Sequence, residues 1–198
     1  MQKPFSPSCE RNQQVIFDVL KKQICSTDRC LLEIGSGTGQ HAVFMAEKLQ
    51  QIQWHTADLT GNHQGIQMWI DEAMLENIKS PLEYQAGLSP FPQVDADIVF
   101  TANTLHIMSW ENVKVMIQQL GESLKPRAKL IIYGPFNYKG KFTSPSNADF
   151  DIWLKQQGEH RGIRDFEKVV QQMLLNKIEL LEDISMPANN RILIFKRE

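Results

Sequence analysis

Short apolar runs alternate with longer amphipathic segments along most of the chain. The short runs have the length and residue types of strands, and the longer ones have the spacing of half-buried helices, as with Val15, Ile16, Val19 and Leu20 on one face. The predicted strands are 30–35, 52–58, 82–87, 96–103, 129–136, 178–184 and 191–197, and the predicted helices are 10–24, 40–49, 64–75, 110–124, 147–157 and 165–175.

This alternation predicts an α/β fold, a three-layer Rossmann-like sandwich with helices on both faces of a mostly parallel sheet. We expect helices to join the first five strands. The last two strands are separated only by residues 185–190, too few for a helical crossover, so they should form an antiparallel hairpin. Ser109 precedes a helical pattern and predicts an N-cap. No repeat or linker divides the chain, which we interpret as one domain over 1–198.

Charge and composition narrow the range of functions. The formal net charge is −2 and the basic clusters at 125–129 and 139–141 are short, which argues against nucleic acid as a partner. No segment has the apolar length of a membrane span, and the N-terminus lacks a secretory signal. Cys9, Cys25 and Cys30 are interpreted as free thiols. These features predict a cytoplasmic protein, either a monomer or a homodimer.

The sequence LLEIGSGTGQ, at 31–40, runs from a predicted strand through a glycine-rich turn into a helix. Glycines allow a ligand to approach the backbone closely, because no Cβ intervenes. A dinucleotide-binding turn has the pattern G-x-G-x-x-G. Here Gln40 occupies the third position and Gly39 precedes it, so the pattern is G-x-G-x-G.

Asp58 ends the second predicted strand, at the edge of the sheet where the glycine turn also lies. A carboxylate at this place suits the two hydroxyls of a ribose. No lysine of a phosphate-binding loop accompanies the turn, which argues against hydrolysis of nucleoside triphosphates.

This combination of turn and acid resembles the class I S-adenosylmethionine-dependent methyltransferases. The resemblance implies strand order 3-2-1-4-5-7-6, with S-adenosylmethionine as cofactor. It implies that the glycines line its methionine and ribose, that Glu33 orients the turn, that Asp58 binds the ribose and that Asn103 faces the methionine portion. The full set of implied cofactor residues is Glu33, Gly35, Ser36, Gly37, Gly39, Gln40, Asp58, Leu59, Gly87, Leu88 and Asn103.

Six further blocks resemble one small methyltransferase-like family. That family is known as domain of unknown function 938, or the methyltransferase-like protein 26 family, and has no established substrate. The blocks are SPSCERN (6–12), EIGSGTGQHA (33–42), ANTLHIMSW (102–110), YGPFNYKGKFTSPSNADFD (133–151), GIRDFE (162–167) and MPANNR (186–191).

One region departs from the methyltransferase pattern. Many such enzymes have an acid after the third strand, beside the adenine amino group, but residues 84–92 contain no carboxylate. Gln85, or a backbone carbonyl near Gly87 and Leu88, is the alternative acceptor.

His106 is the candidate catalytic base, since its ordinary pKa lies near neutrality. A structural histidine that bonds the loop backbone is an equal alternative. Methyl transfer from a sulfonium depends mainly on alignment in a dry pocket, so one base or none is needed.

Two further groups are candidates for binding the substrate. Tyr133, Asn137 and Tyr138, in the block YGPFNY around the end of the fifth strand, are candidates for the boundary of the substrate cavity, although core packing is the better explanation for the two tyrosines. Arg11 and Asn12 lie in an N-terminal helical segment, 1–29, which can close over the pocket as a lid. Arg11 can bind a carboxylate.

The histidines and acids show no metal-ligand spacing, so we expect no metal. The primary hypothesis is a methyltransferase that acts on a small molecule. The alternative is a non-catalytic module of the same fold that binds the cofactor or a protein partner. A nicotinamide-dependent oxidoreductase is disfavoured by Gln40.

Overall fold

The computed structural model describes residues 2–198. The chain forms two compact units, of which the first ends at Thr101 and the second begins at Ala102.

The first unit alternates helices and strands. β1 pairs in parallel with β2 and β4, and β2 pairs in parallel with β3. The first helix begins with proline, and the Ser6 side chain before it accepts a hydrogen bond from the Cys9 amide, which is a common helix start. The elements are α1 (Pro7–Gln23), β1 (Cys30–Ile34), α2 (Gln40–Lys48), β2 (Gln53–Asp58), α3 (Thr60–Ala73), β3 (Ile78–Glu83) and β4 (Ile98–Ala102), which reaches the boundary between the units.

The second unit ends in a long antiparallel hairpin, β8–β9, whose second strand also pairs with β5. Ser109 caps α4 by accepting a hydrogen bond from Asn112 N, as predicted. The elements are α4 (Trp110–Ser123), β5 (Lys129–Gly134), β6 (Phe136–Asn137), α5 (Pro145–Gln157), β7 (Arg164–Asp165), α6 (Phe166–Leu175), β8 (Ile178–Met186), a 3₁₀ turn (Pro187–Asn189) and β9 (Asn190–Arg197).

Seven strands form one sheet in the order β3-β2-β1-β4-β5-β9-β8, which confirms the predicted order and the antiparallel C-terminal hairpin. β6 and β7 form a separate parallel pair. The central strands consist almost entirely of buried apolar residues, because strands covered on both faces cannot present a polar side to water.

The third strand differs from the prediction. It was expected at 82–87 but lies at Ile78–Glu83, with Pro81 inside it. Proline is tolerated there because β3 is at the edge of the sheet. Residues 84–97 then reach β4 without a helix, so the expectation that helices join all of the first five strands was wrong at this link.

Gly121 marks a close contact between α4 and Asn176, the residue after α6. A Cβ at this position would lie 2.6 Å from the backbone oxygen of Asn176 and 2.8 Å from its Cβ. Glycine is therefore required by space, even though alanine is the better helix former by about 1 kcal/mol.

We predict that Gly121→Ala lowers the free energy of unfolding by about 1–2 kcal/mol, because overpacking costs more than helix propensity gains. Gly61→Ala in α3 is the matched control, since a Cβ there has no atom within 4 Å. Urea unfolding should find the control at least as stable as the parent protein. A Gly121→Ala protein of equal or greater stability would contradict the packing argument.

Candidate functional site

The turn between β1 and α2 has three residues in the left-handed backbone region. Gly35, Gly37 and Gly39 have φ values of 74°, 59° and 90°. A Cβ on Gly39 would lie 3.1 Å from Ile66 Cα, whereas a Cβ on Gly37 would have no atom within 4 Å. Gly39 thus allows close packing on α3, while Gly37 borders open space that a ligand can enter.

Asp58 joins this turn to the end of β2. Its Oδ2 accepts a 2.6 Å hydrogen bond from the Gly37 amide. Its Oδ1 accepts bonds from Leu59 N at 2.7 Å and from Asn62 Nδ2 at 2.8 Å. A carboxylate accepts about four hydrogen bonds in all. One acceptor position therefore remains on Oδ2, and a diol that forms two bonds would replace one of the present three.

Glu33 is buried beneath the turn and accepts a 3.0 Å hydrogen bond from Trp54 Nε1. Burial raises the pKa of Glu33 to about 7, the hydrogen bonds from Trp54 and Ser36 oppose this rise, and the Asp58 charge adds to it. The folded protein therefore holds the Glu33 proton more tightly than the unfolded chain does. This residue's contribution to stability is present below about pH 4.5 and is lost as the pH rises towards 7.

Gln40 connects the turn to the N-terminal segment. Its Oε1 accepts a 2.5 Å bond from Ser6 N and a 3.0 Å bond from Thr38 Oγ1. Next to it, His41 Nε2 lies 2.7 Å from Asn12 Oδ1. Burial lowers the pKa of His41 to about 4, so its ring is neutral near pH 7. The side chain of Gln40 thus orders the segment before α1, a role that glycine at this position cannot perform.

Arg11 and Asn12, the candidate substrate residues of α1, differ in their surroundings. The Asn12 side chain forms a hydrogen bond with the His41 ring. Arg11 lies on the exposed side of the helix, where its Nη2 donates a 3.2 Å bond to Ser8 Oγ.

The turn after β3 lies at the same edge of the sheet as Asp58, because Asp58 pairs with Glu83 in parallel register. The backbone oxygen of Gln85 accepts bonds from Leu88 N and Ser89 N, both 2.9 Å long. Gly87 has a φ of 86°, and the Leu88 side chain is 80% exposed. The turn thus presents an apolar side chain. The backbone carbonyl of Gln85 is already hydrogen-bonded to Leu88 N and Ser89 N within the turn.

Within the second unit, Asn103 follows β4 in the left-handed region, with a φ of 59°. The backbone amide of Asn103 donates a 2.8 Å hydrogen bond to Tyr133 O. His106 is buried three residues later, with its ring edge-on to Phe150 at 5.3 Å. Burial, assisted by the charges of two arginines, lowers the pKa of His106 to about 4. Its imidazole is therefore neutral at pH 7 and is a weak base.

Arg164 fixes the loop that carries His106. Its guanidinium donates hydrogen bonds to the backbone oxygens of Leu105 and His160, each at 3.0 Å, and to that of Met108. The Gly162 amide donates to His106 O at 3.0 Å. The sequence marked Arg164 within the GIRDFE block but gave no indication of this role, because its partners are backbone oxygens, and those of Leu105 and Met108 are 59 and 56 residues away in sequence.

The three substrate candidates after β5 have different environments. Tyr133 is buried in the core. Asn137 is also buried, and its Nδ2 donates to Ile163 O at 3.4 Å, while its Oδ1 has no hydrogen-bond partner among the described residues. Tyr138 is half-buried, stacks on Phe166 at 4.8 Å and donates a 2.8 Å bond to Asp183 Oδ2.

Residues 2–198 contain no group of three or more His, Cys, Asp or Glu side chains placed to hold a metal ion. Over the same residues, no helix combines the length and apolar character needed to span a bilayer.

Comparison with known proteins gives a consistent fold. O-methyltransferase aoiF of Aspergillus oryzae is 29% identical over 108 residues, which cover 52% of this chain and 25% of that protein. An O-methyltransferase family protein from Burkholderia thailandensis superposes with a TM-score of 0.82 at 17% identity, covering 96% of this chain and 57% of the other. Human N-acetylserotonin methyltransferase, in complex with SAM, superposes with a TM-score of 0.79 at 12% identity. The match covers 96% of this chain and 52% of the human enzyme.

The chain therefore spans a quarter of the curated relative and a little over half of each of these structures. The structural likeness identifies the fold as that of class I methyltransferases. A family model described as "Protein of unknown function (DUF938)" matches residues 3–197. The chain belongs to the DUF938 family.

Proposed function

We propose that this protein is an S-adenosylmethionine-dependent methyltransferase that acts on a small molecule. The observation that carries the proposal is the Asp58 carboxylate bonded to the Gly37 amide at the border of open space. The aoiF relative and the human enzyme named for N-acetylserotonin support the reaction class and the small-molecule substrate. None of Cys9, Cys25 and Cys30 is in a disulfide, in keeping with a cytoplasmic location.

The residues of the first unit fit such a cofactor. The remaining acceptor position of Asp58 suits a ribose hydroxyl, and the left-handed glycines admit the chain that bears the sulfonium. The exposed side chains of Leu59 and Leu88 offer apolar surface for the adenine ring. When bound, the cofactor supplies an electrophilic methyl group.

The protein's own contribution is mainly to bind and orient. Asp58 and the glycine turn are held by hydrogen bonds before any ligand arrives, which reduces the entropy lost on binding. His106 remains the candidate base. Because its pKa is held at about 4, the neutral ring can accept a hydrogen bond from an acceptor's hydroxyl but stabilises the transferred proton poorly. Methyl transfer would then rely on alignment more than on proton removal.

A binding module of the same fold is the second candidate. It is favoured by the low pKa of His106 and by the exposed apolar side chain of Leu88 in the turn after β3, although β3 itself ends in an acid, Glu83. Such a protein would bind the cofactor or a protein partner without turnover.

We predict that S-adenosylmethionine and S-adenosylhomocysteine bind the purified protein, and that Asp58→Asn weakens both by about 10–100-fold, the equivalent of a lost charge-assisted hydrogen bond. Calorimetric titration measures this, and Asp71→Asn on the exposed side of α3 is the matched control. Unchanged affinity in Asp58→Asn would exclude Asp58 as a ligand. Absence of binding to the parent protein would overturn the proposed function.

Turnover separates the enzyme from the module. We expect the parent protein, supplied with methyl-labelled cofactor and a small-molecule extract, to transfer label to a compound of low mass, and Asp58→Asn to lose this transfer in proportion to its weaker binding. Intact cofactor binding with no transfer to any fraction, small-molecule or protein, would favour the module.

A further inference from the structure

The second unit contains a cavity that methyl transfer does not explain. It has a volume of about 290 Å³ and lies between the β8–β9 hairpin and the segment that precedes α5. Every lining residue has a side chain that can form hydrogen bonds, and none of them is acidic. The lining residues are Tyr138, Thr143, Ser185, Asn189, Asn190 and Arg191.

Arg191 is held rigidly at the wall of this cavity. Its Nε donates a 2.7 Å bond to Asp183 Oδ1, and its Nη2 donates a 3.2 Å bond to Asp183 O. Tyr138 donates to the other oxygen of the same carboxylate at 2.8 Å and lies under the guanidinium, 5.6 Å from ring centroid to Cζ. Nη1 is left without an acceptor among residues 2–198. One edge of the Arg191 guanidinium is thus held by Asp183, and the edge that carries Nη1 can bind a ligand.

The electrostatic surroundings favour an anion of low charge. Asp183 is the nearest carboxylate, and both its oxygens are engaged by Arg191 and Tyr138. Pro145 begins α5 two residues after Thr143, so the positive end of that helix adjoins the cavity. Because Asp183 already balances Arg191, a carboxylate with one negative charge suits the site better than a phosphate monoester with nearly two.

The rim of the cavity is preorganised. Ala188 and Asn189 have φ values of 56° and 57°, in the left-handed region that non-glycine residues rarely adopt. Asn147 Nδ2 donates to Asn189 O at 3.2 Å, and Asn189 Nδ2 donates to Ser146 Oγ at 3.3 Å. These bonds attach the hairpin to the first turn of α5, and the Asn190 side-chain amide donates to Pro187 O and Ala188 O, so the rim is ordered before a ligand arrives.

We propose that this cavity binds a small hydroxycarboxylate, with the carboxylate on Arg191 and the hydroxyl among the amides and hydroxyls of the lining. The volume is at the lower limit for small-molecule sites, which restricts the ligand to a compact one. The proposal does not depend on methyl transfer, and it holds whether or not the first unit binds S-adenosylmethionine.

The test is titration of the ¹⁵N-labelled protein with lactate, which carries one negative charge, with its uncharged amide lactamide and with inorganic phosphate, all without S-adenosylmethionine. We expect lactate to bind saturably, with amide shifts concentrated at Ser185, Asn189 and Asn190. Lactamide and phosphate should each bind at least about 10-fold more weakly, the equivalent of about 1.4 kcal/mol.

Two variants probe the site independently. Arg191→Gln removes the charge, and Ser185→Leu fills the cavity without loss of a hydrogen bond shown in the structure; each should weaken lactate binding at least about 10-fold. Arg127→Gln is the control, since Arg127 is exposed and precedes β5 at the end opposite Gly134, the partner of Arg191. If the Arg191→Gln protein does not fold, the binding affinity of the Ser185→Leu variant alone tests the proposal. Equal binding of lactamide or phosphate, full affinity in Ser185→Leu, or no lactate shifts at about 10 mM would overturn the proposal.

Discussion

The hydrogen bond from the Gly37 amide to Asp58 is the interaction on which the candidate site depends. Asp58 also accepts from Leu59 N and Asn62 Nδ2, so one carboxylate links the end of β2, the glycine turn and the first turn of α3. Hydrogen bonds to a charged group contribute about 1.5–3 kcal/mol each, enough to keep three left-handed residues in a single arrangement. The shape of the turn is therefore a property of the protein itself.

In the second unit, hydrogen bonds of charged side chains other than Asp58 fix the loops. There, Arg164 holds the loop after β4 through backbone oxygens, and Asp183 holds Arg191 and Tyr138 beside the polar cavity. In each case a charged side chain fixes the position of backbone atoms or of another side chain. The low pKa of His106 belongs to the same design, because the loop that Arg164 fixes buries the ring among cationic neighbours.

The sequence predicted those parts of the fold that depend on local pattern. Buried central strands read as apolar runs, the short link between the last two strands required a hairpin, and Ser109 was a recognisable cap. The third strand was misplaced because Pro81 argues against a strand unless the strand is known to be at an edge, and edge position is a tertiary property.

The candidate site was predictable in its residue types but not in its connections. The glycine spacing and Asp58 are visible in the sequence, whereas their mutual hydrogen bond joins residues 21 positions apart. The bonds of Gln40 to Ser6 and of Arg164 to Leu105 likewise have no local signature, since the partner atoms are backbone groups that any residue provides. The sequence pattern identifies which residues can donate or accept hydrogen bonds, but the three-dimensional fold determines which donor meets which acceptor.

We propose that Asp58 and the glycine turn form a preorganised site for the adenosyl group of the cofactor. A crystal structure of the protein with S-adenosylhomocysteine would test this proposal. We expect a ribose hydroxyl within about 3 Å of Asp58 Oδ2 and a turn whose three glycines keep their left-handed conformations. An adenosyl group bound elsewhere, or a turn that rearranges to admit it, would show that the site is not preorganised for this cofactor.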